Sequence, residues 1–573
     1  MPEKKRILIL GAGVLQGPAL RIACEMGLET IAIDADSTAL CVPLADRFEK
    51  IDLKDREGIE KLARSLMEKG GLAGVMTAGT DFSASVAWVA EKLGLPGISF
   101  EAALDASDKE RMRKRFKEAG VPSPEFIVIS GSSGKALDLP FSWPAVVKPV
   151  DNMGARGCRR VDSPAELKAA VAEARAFSRS GRVIVEEYME GPEFSVDALV
   201  YKGEITICGF ADRHIYFPPY FIEMGHTIPS SIDPAVMRLL IETFNKGVKA
   251  LGIANGAAKG DVKLTPRGPM IGEIAARLSG GFMSGWTFPY SSGVLPTKGA
   301  IEIAIGKKPG GLENKWNWTS AERAFISIPG RVLSIEGIET AKVMPYVRDV
   351  FSRVKRGMAV TFPENNVTKC GNIISAAPDR ETAVKAAENA ARSILIRLQA
   401  PNYETTAFLA VPAAMPTSEK PAFPPDAFAA GKSLLSLLAN MPETAGFPAK
   451  REPVLLPFLE FTESGLLDFM GRSVKESLDA VMLLTGLSLP LASKESLSGG
   501  AATPVLGRSF WQALIRGGYQ GAVYYIDSWR GFHTPPLWGG NEVWNPRPIP
   551  YENNIPRCSA AGYVDSITKG AND

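Results

Sequence analysis

Residues 145–158 read AVVKPVDNMGARGC, and residues 183–197 read VIVEEYMEGPEFSVD. Each stretch opens on an apolar run of strand length, and each run ends in charge. Lys148 closes the first run. The loop behind it, Asn152, Met153, Gly154, Ala155, Arg156 and Gly157, has glycines that let backbone approach a ligand closely. A lysine at a strand end beside such a loop suits a triphosphate, the ammonium acting as a point charge. The second run ends at Glu186 and Glu187, with Tyr188 and Met189 next. A strand end offers backbone groups to an adenine edge, and the Glu193 carboxylate is near enough to take ribose hydroxyls.

The same pattern continues on both sides. Upstream, residues 108–119 (DKERMRKRFKEA) predict a charged helix headed by Lys109 and stopped by Gly120 and Pro122. Downstream, Asp261 in KGDVKL and Glu273 in MIGEIAAR sit on neighbouring apolar runs, and Arg277 follows four residues on. Two carboxylates aimed at one cleft suit Mg²⁺ on triphosphate oxygens. Taken singly, each of these residues reads as a solvated surface charge, Lys109 above all, since it lies in a run of charges. Their order and spacing as a set argue for a site.

The first 105 residues alternate strand signals (6–10, 30–33, 74–77) with helical ones, which predicts a parallel sheet covered on both faces. Gly11, Gly13 and Gly17 follow the first strand, and Asp34 ends the second. The spacing is GxGxxxG and not GxGxxG, so a nicotinamide-dependent oxidoreductase is the weaker reading. Residues 106–320 read as mixed α and β. Residues 321–398 read as a smaller α+β unit ending in a helix over 381–398. Proline-rich residues 399–426 read as a linker, and 427–573 as an accessory domain of unknown fold. The latter has helical signals at 427–438, 474–484 and 509–515, and holds Trp511, Trp529, Trp538 and Trp544.

Composition narrows the function classes. The chain has 573 residues, with 65 Lys and Arg against 63 Asp and Glu. That near-neutral balance points away from nucleic acid and from anionic membranes. The six cysteines form no CxxC pair and the three histidines are dispersed, so neither a disulfide framework nor a zinc site is expected. No run approaches the roughly 18 apolar residues of a membrane span. A cytoplasmic protein is the expectation.

The ordered set resembles the ATP-grasp superfamily over roughly residues 1–398. The matching stretches are DKERMR, AVVKPVDNMGARG, VIVEEYMEGPEFSVD and GEIAARLSGG. The resemblance implies a leading parallel α/β domain (1–105), an ATP-grasp domain (106–320) and a small α+β domain (321–398). It places Lys109 and Lys148 on ATP phosphates, with the loop from Asn152 to Gly157 covering them. Glu186, Glu187, Tyr188 and Met189 would line the adenine hinge, Glu193 the ribose, and Asp261 and Glu273 the metal. Arg277 would face an acyl phosphate, with Lys148 and Arg277 the catalytic pair. Two positions depart from the family: many members have Glu at the position of Asp261 and Asn at that of Ala275.

The stretches at 218–231 (PPYFIEMGHTIPSS) and 276–293 resemble acceptor regions of amino-acid ligases. Glu223, His226, Arg277 and Ser279 are therefore acceptor-side candidates. The implied activity is an ATP-dependent carboxylate–amine ligase using ATP and Mg²⁺, or Mn²⁺ in its place. Its implied partners are a small carboxylate and an amine, with no nucleic acid or membrane, and a homo-oligomer is compatible with it. A bicarbonate-using carboxylase and a non-catalytic ATP-binding scaffold are the other readings.

Overall fold

Four short strands open the computed structural model: β1 (Arg6–Leu10), β2 (Glu29–Asp34), β3 (Arg47–Lys50) and β4 (Gly74–Thr77). It describes residues 4–131, 139–410, 423–428, 438, 441, 456–457, 465–492 and 506–533. The four strands pair in parallel in the order β3-β2-β1-β4. Both faces of β1 are covered: Leu8 and Leu10 pack with Ile31 and Ile59, Ile7 and Ile9 with Leu20 and Ile301. Burial on both sides explains why its sequence is apolar without alternation. The glycine turn after β1 uses its donors internally. Ala12 N–H donates to Asp34 Oδ2 (2.9 Å) and Gly13 N–H to Gln16 Oε1 (2.9 Å), while the Gln16 amide donates to the Ala78 carbonyl. Asp34 caps the turn, which removes the anion site that a nicotinamide reading needs.

After α1 (Gly17–Glu25), α2 (Arg56–Glu68), α3 (Ser83–Lys92) and α4 (Phe100–Ser107) comes α5 (Lys109–Glu118). Asp108 caps α5 by accepting from Arg111 N–H at 3.1 Å. A small antiparallel sheet follows: β5 (Phe126–Ile129), β6 (Ala145–Pro149), β7 (Arg159–Val161) and β8 (Val183–Glu187), ordered β5-β8-β6-β7. Helix α6 (Pro164–Phe177) covers one face, with Ala170 and Ala174 against Val147 and Val185.

Two further sheets take strands from two stretches of chain. The first stretch gives β9 (Glu193–Tyr201), β10 (Glu204–Tyr216), β11 (Ile222–Ile228), β12 (Gly256–Thr265) and β13 (Gly268–Ala275). The second gives β14 (Thr319–Phe325), β15 (Gly330–Glu336), β16 (Val347–Ser352), β17 (Ala359–Val360), β18 (Gly371–Ala377) and β19 (Leu395–Leu398). Eight of these form one sheet, β13-β12-β9-β10-β11-β14-β18-β16, and three a smaller one, β17-β15-β19. Helix α7 (Pro234–Ala250) packs Leu240, Phe244 and Val248 onto Val262, Ile271 and Ile274. The register Gly225↔Arg323 to Ile228↔Ser320 joins β11 to β14. Part of the unit expected at 321–398 therefore extends the main, eight-stranded sheet, through β14, β18 and β16.

Two expectations are corrected here. The helix predicted over 381–398 stops at Ser393, and 395–398 is strand β19, paired with β15. Ile394 already has an extended backbone, in keeping with the β-branched residues around it. The tail, expected as a separate domain, shares its core with the small unit. Leu395 packs with Phe428, Val481, Trp511 and Ile515, and Ile328 and Leu398 pack with Ala513 and Tyr524. Val481 comes from the helix Val474–Thr485, and Trp511, Ala513, Ile515 and Tyr524 from Arg508–His533, while Tyr403–Ala410, inside the expected linker, is a helix too. Polar ties cross the same seam. Arg397 donates to both Asp527 oxygens (2.6 and 2.8 Å), and Gln520 accepts from Ile328 N–H (3.1 Å) and donates to the Ile396 carbonyl (3.0 Å). The helical signal over 429–437, and Trp538 and Trp544, lie outside the described residues. Among the described residues, no helix is long and apolar enough to cross a membrane.

Candidate active site

Strand alternation builds the floor of a cleft. Side chains two apart on a strand share a face. On β12 that puts Lys259, Asp261 and Lys263 together, in register with Asp197, Ser195 and Glu193 of β9. Glu273 of β13 stands opposite Asp261, and Arg213 of β10 opposite Glu193. Arg213 knits the row. Its guanidinium lies 2.7 Å from Asp261 Oδ1 and 2.5 Å from Glu223 Oε2, and also pairs with Glu193. Burial works against its charge, yet Asp261, Glu223 and Glu193 hold its pKa well above the ordinary arginine value. Lys259 pairs with the other Asp261 oxygen.

The opposite wall comes from the small sheet and α5. Lys148 Nζ lies 2.6 Å from Glu186 Oε2, and Arg113 Nε 2.9 Å from Glu186 Oε1. Arg113 also donates to the Gly272 carbonyl at 2.6 Å. Lys109 Nζ donates to the Asn152 carbonyl (2.7 Å) and stands 3.6 Å from Glu273 Oε1. The buried residues of α5 are Lys109, Met112, Arg113 and Phe116, one helical face. The charged run on α5 is thus not a solvated face throughout.

Asn152 organises the loop by accepting from Met153 N–H (2.8 Å) and Arg156 Nη1 (3.0 Å). Gly154 sits at φ +68° and Gly157 at φ +63°, where a side chain is strained. The Gly154 carbonyl accepts from Asn366 N–H at 2.9 Å, which ties the loop to the small unit. Between the walls lies a cleft of about 800 Å³, lined by the loop, Tyr188, Met189, Glu193, Asp261, Glu273 and Arg277. That is room for a nucleotide and a small substrate.

Residues 141–285 match the ATP-grasp domain family, and residues 324–399 match the family of L-amino acid ligase C-terminal domain 2. The chain carries an ATP-grasp domain. A protein of Sinorhizobium fredii described only as uncharacterized is 25% identical over 378 residues, covering 65% of this chain and 78% of that protein. Carnosine synthase 1 of Gallus gallus is 25% identical over 336 residues, but the match spans only 36% of that protein and 54% of this chain. The L-amino acid ligase of Bacillus licheniformis superposes with a TM-score of 0.62 at 22% identity, over 70% of this chain and 100% of its own. That last likeness is one of fold.

Within the ATP-grasp domain and its neighbours, the structure brings most of the sequence-derived residues to one cleft. Lys109, Lys148, Asn152, Met153, Gly154, Ala155, Arg156, Glu186, Glu187, Tyr188, Met189, Glu193, Glu223, Asp261, Glu273 and Arg277 all line it. Three do not. Gly157 packs against α6, where an added Cβ would come within 2.8 Å of Phe177. Ser279 is buried, and its hydroxyl and that of Ser284 donate to Asp197. His226 is fully buried beneath Glu223. Its Nδ1 is 3.2 Å from Glu322 Oε2, and its Nε2 is 2.9 Å from Thr287 Oγ1. Glu186 lines the cleft, but its carboxylate is spent on Lys148 and Arg113, so its part is to position Lys148. Sequence reasoning missed Arg213, Lys259 and Arg113. The KxDxK alternation around Asp261 held a signal for Lys259, and the Met112–Phe116 face one for Arg113.

The acids fit a hard divalent cation: both are carboxylates, directly paired across β12 and β13 and facing the cleft. Ala275, also on the cleft, adds no donor. Glu223, His226 and Glu322 also bring ligand atoms together, but of the three only Glu223 lines the cleft, while His226 and Glu322 are buried behind it. That group reads as a hydrogen-bonded support for the acceptor side.

Charge is tuned strongly at several acids, Glu273 and Asp197 among them. Burial works against the Glu273 carboxylate, yet Lys109, Lys148, Lys259 and Arg277 bring its pKa down to about 2. Burial raises Asp197 to about 6, against its two serine donors, Lys259 and Arg277. A carboxyl raised above its unfolded value (near 3.9) binds its proton better in the fold. Stability from Asp197 is therefore present below about pH 4 and lost as pH rises to about 6, after which it stays flat. Asp197→Asn is expected to remove that slope, worth roughly 3 kcal/mol across the window. Melting temperatures of both proteins from pH 4 to 7 check this, and parallel curves would contradict it.

Proposed function

We propose that the chain is an ATP-dependent ligase. It activates a carboxylate as an acyl phosphate and joins it to an amine, releasing ADP and phosphate. The observation that carries this reading is the pairing of opposite walls. Lys109 and Lys148 lie under a glycine loop on one side, and Asp261 and Glu273 lie on the other, all in one cleft. The relatives named for amino-acid ligation and carnosine synthesis support an amine as nucleophile.

Asp261 and Glu273 would hold Mg²⁺ or Mn²⁺, which supplies charge neutralisation for the oxygens being transferred. The protein's own part is largely electrostatic positioning. Lys148, fixed by Glu186, and Lys109, fixed by the Asn152 carbonyl, present ammonium groups to phosphate oxygens. Tyr188, Met189 and Glu193 receive the nucleoside. Arg277 faces the acyl end. The loop from Asn152 to Arg156 covers the phosphates and excludes water, which protects an acyl phosphate from hydrolysis.

Mg·ATP is expected to raise the melting temperature, because a ligand at a hundred times its Kd stabilises the fold by about 2.7 kcal/mol. Thermal shift with Mg·ATP, Mg·GTP and NADH checks this, and a shift with NADH alone would sink the reading. A phosphate-release screen over amino acids, hydroxy acids, amines and bicarbonate then separates the chemistries. Release that needs both a carboxylate and an amine supports the ligase. Release with bicarbonate alone identifies a carboxylase, and ATP binding without release across the whole panel marks a scaffold.

A further inference from the structure

The strand that carries Glu223 has two faces, and the second belongs to the tail. Phe221 and Glu223 line the cleft, and Phe221 stacks on Tyr188 with centroids 6.4 Å apart. The alternate residues Ile222 and Met224 are buried on the other side, with Ala324, Ile326 and Phe362. Phe423, Phe469 and Met470 pack against that cluster from the C-terminal segment. The turn between β10 and β11 is held by the same residues. Phe217 packs edge-on to Phe362 (5.1 Å) and Phe469 (6.2 Å), and Tyr220 to Phe423 (4.7 Å). Phe362 in turn meets Phe469 at 4.8 Å and Phe423 at 5.6 Å.

The turn needs such support. Phe217 sits at φ +65°, a left-handed conformation that a bulky side chain adopts only when its surroundings impose it. The Pro219 carbonyl accepts from Arg160 N–H at 2.7 Å, so the turn also touches β7, just beyond the glycine loop. Phe469 is itself well anchored. Asp468 accepts from Met470 N–H (2.8 Å) and Arg472 N–H (2.9 Å), and Arg472 donates to the Ile394 carbonyl at 3.0 Å.

We propose that the C-terminal segment is a buttress of the active-site cleft: Phe423 and Phe469 press on the turn 217–220 from behind and so set Phe221 against Tyr188 at the nucleotide end of the cleft and Glu223 on its acceptor side. Both are positioning residues, since neither lines the cleft. The consequence for ligand binding rests on the ligase reading above, while the mechanical coupling does not.

Three full-length variants test it. Phe469→Ala removes the buttress, with Phe469→Leu as the conservative form. Leu478→Ala is the control, since Leu478 lies in the tail core apart from the turn. Hydrogen exchange over 217–224 reports the coupling, and titration with Mg·ATP reports the site. Phe469→Ala is expected to speed exchange there and to weaken Mg·ATP binding, each roughly tenfold, as the loss of its two aromatic contacts implies. Phe469→Leu should recover part of both, and Leu478→Ala should lower the melting temperature while leaving both unchanged. Unchanged exchange in Phe469→Ala overturns the proposal, and so does faster exchange with unaltered Mg·ATP binding. If the wild type binds no Mg·ATP, the ligase reading fails, and the exchange data alone decide whether the tail seats the turn.

Discussion

Glu273→Gln is expected to abolish ADP release almost entirely, by roughly a thousandfold or more, as loss of a metal-holding carboxylate implies. The substitution keeps the shape and removes the charge. Four cations face that charge, Lys109, Lys148, Lys259 and Arg277, and they hold the carboxylate ionised down to about pH 2. Without it they repel one another and nothing on β13 attracts a metal. The fold should survive with a somewhat lower melting temperature, because the depressed pKa reflects an attraction that is lost, screened in part by the solvent that reaches the Glu273 side chain. Asp261→Ala should be nearly as severe, since Asp261 also balances Arg213 and Lys259. Asp261→Glu tests reach, for it keeps the charge and lengthens the acid by one methylene. Steady-state ADP release at ordinary Mg²⁺ measures all three. Turnover near wild type in Glu273→Gln would mean that the metal lies elsewhere.

The parts of the site that were legible in the sequence are those with local signals. Lys148, the glycine loop and the run to Glu193 each sit where a strand meets a turn, and strand ends are marked by a switch from apolar to charged residues. The unread parts depend on what lies across the sheet. Arg213 looks like an ordinary strand arginine until β9, β11 and β12 bring three carboxylates to it. Ser279 is an acceptor candidate only through the resemblance of 276–293, but past the end of β13 its hydroxyl turns inward to Asp197. Strand β11 was unread because its stretch holds Pro, Gly and several polar residues. Those polar groups are buried by partners far away in sequence: Glu322 for His226 and Asn366 for the Glu223 N–H. Local periodicity cannot report a contact made by a residue a hundred positions distant.

The tail shows the same limit at larger scale, and it yields the prediction with the widest effect on the fold. Cutting the chain after Ala400 is expected to give an insoluble protein that binds no Mg·ATP. Proline-rich composition around 399–426 suggested a dispensable domain beyond it. Yet the cut would strip the cover from Ile328, Leu395, Ile396 and Leu398, all buried in the whole protein. At about 1.5–3 kcal/mol for each large apolar side chain, that loss rivals the roughly 5–15 kcal/mol of a typical domain. It would also leave the Ile328 N–H and Ile396 carbonyl without Gln520, and Arg397 without Asp527. The damage would not stay local. Ile328 follows β14 directly, β14 pairs with β11, and β11 carries Glu223 into the cleft. A milder variant keeps the test clean if the truncated chain cannot be recovered. Gln520→Ala should stay soluble and lose about 1–3 kcal/mol, the cost of leaving buried backbone groups unpaired. A truncated chain that is soluble and still binds Mg·ATP would show instead that the tail is an accessory. In that event the shared core around Leu395 and Trp511 would have to be a contact the ligase units can do without.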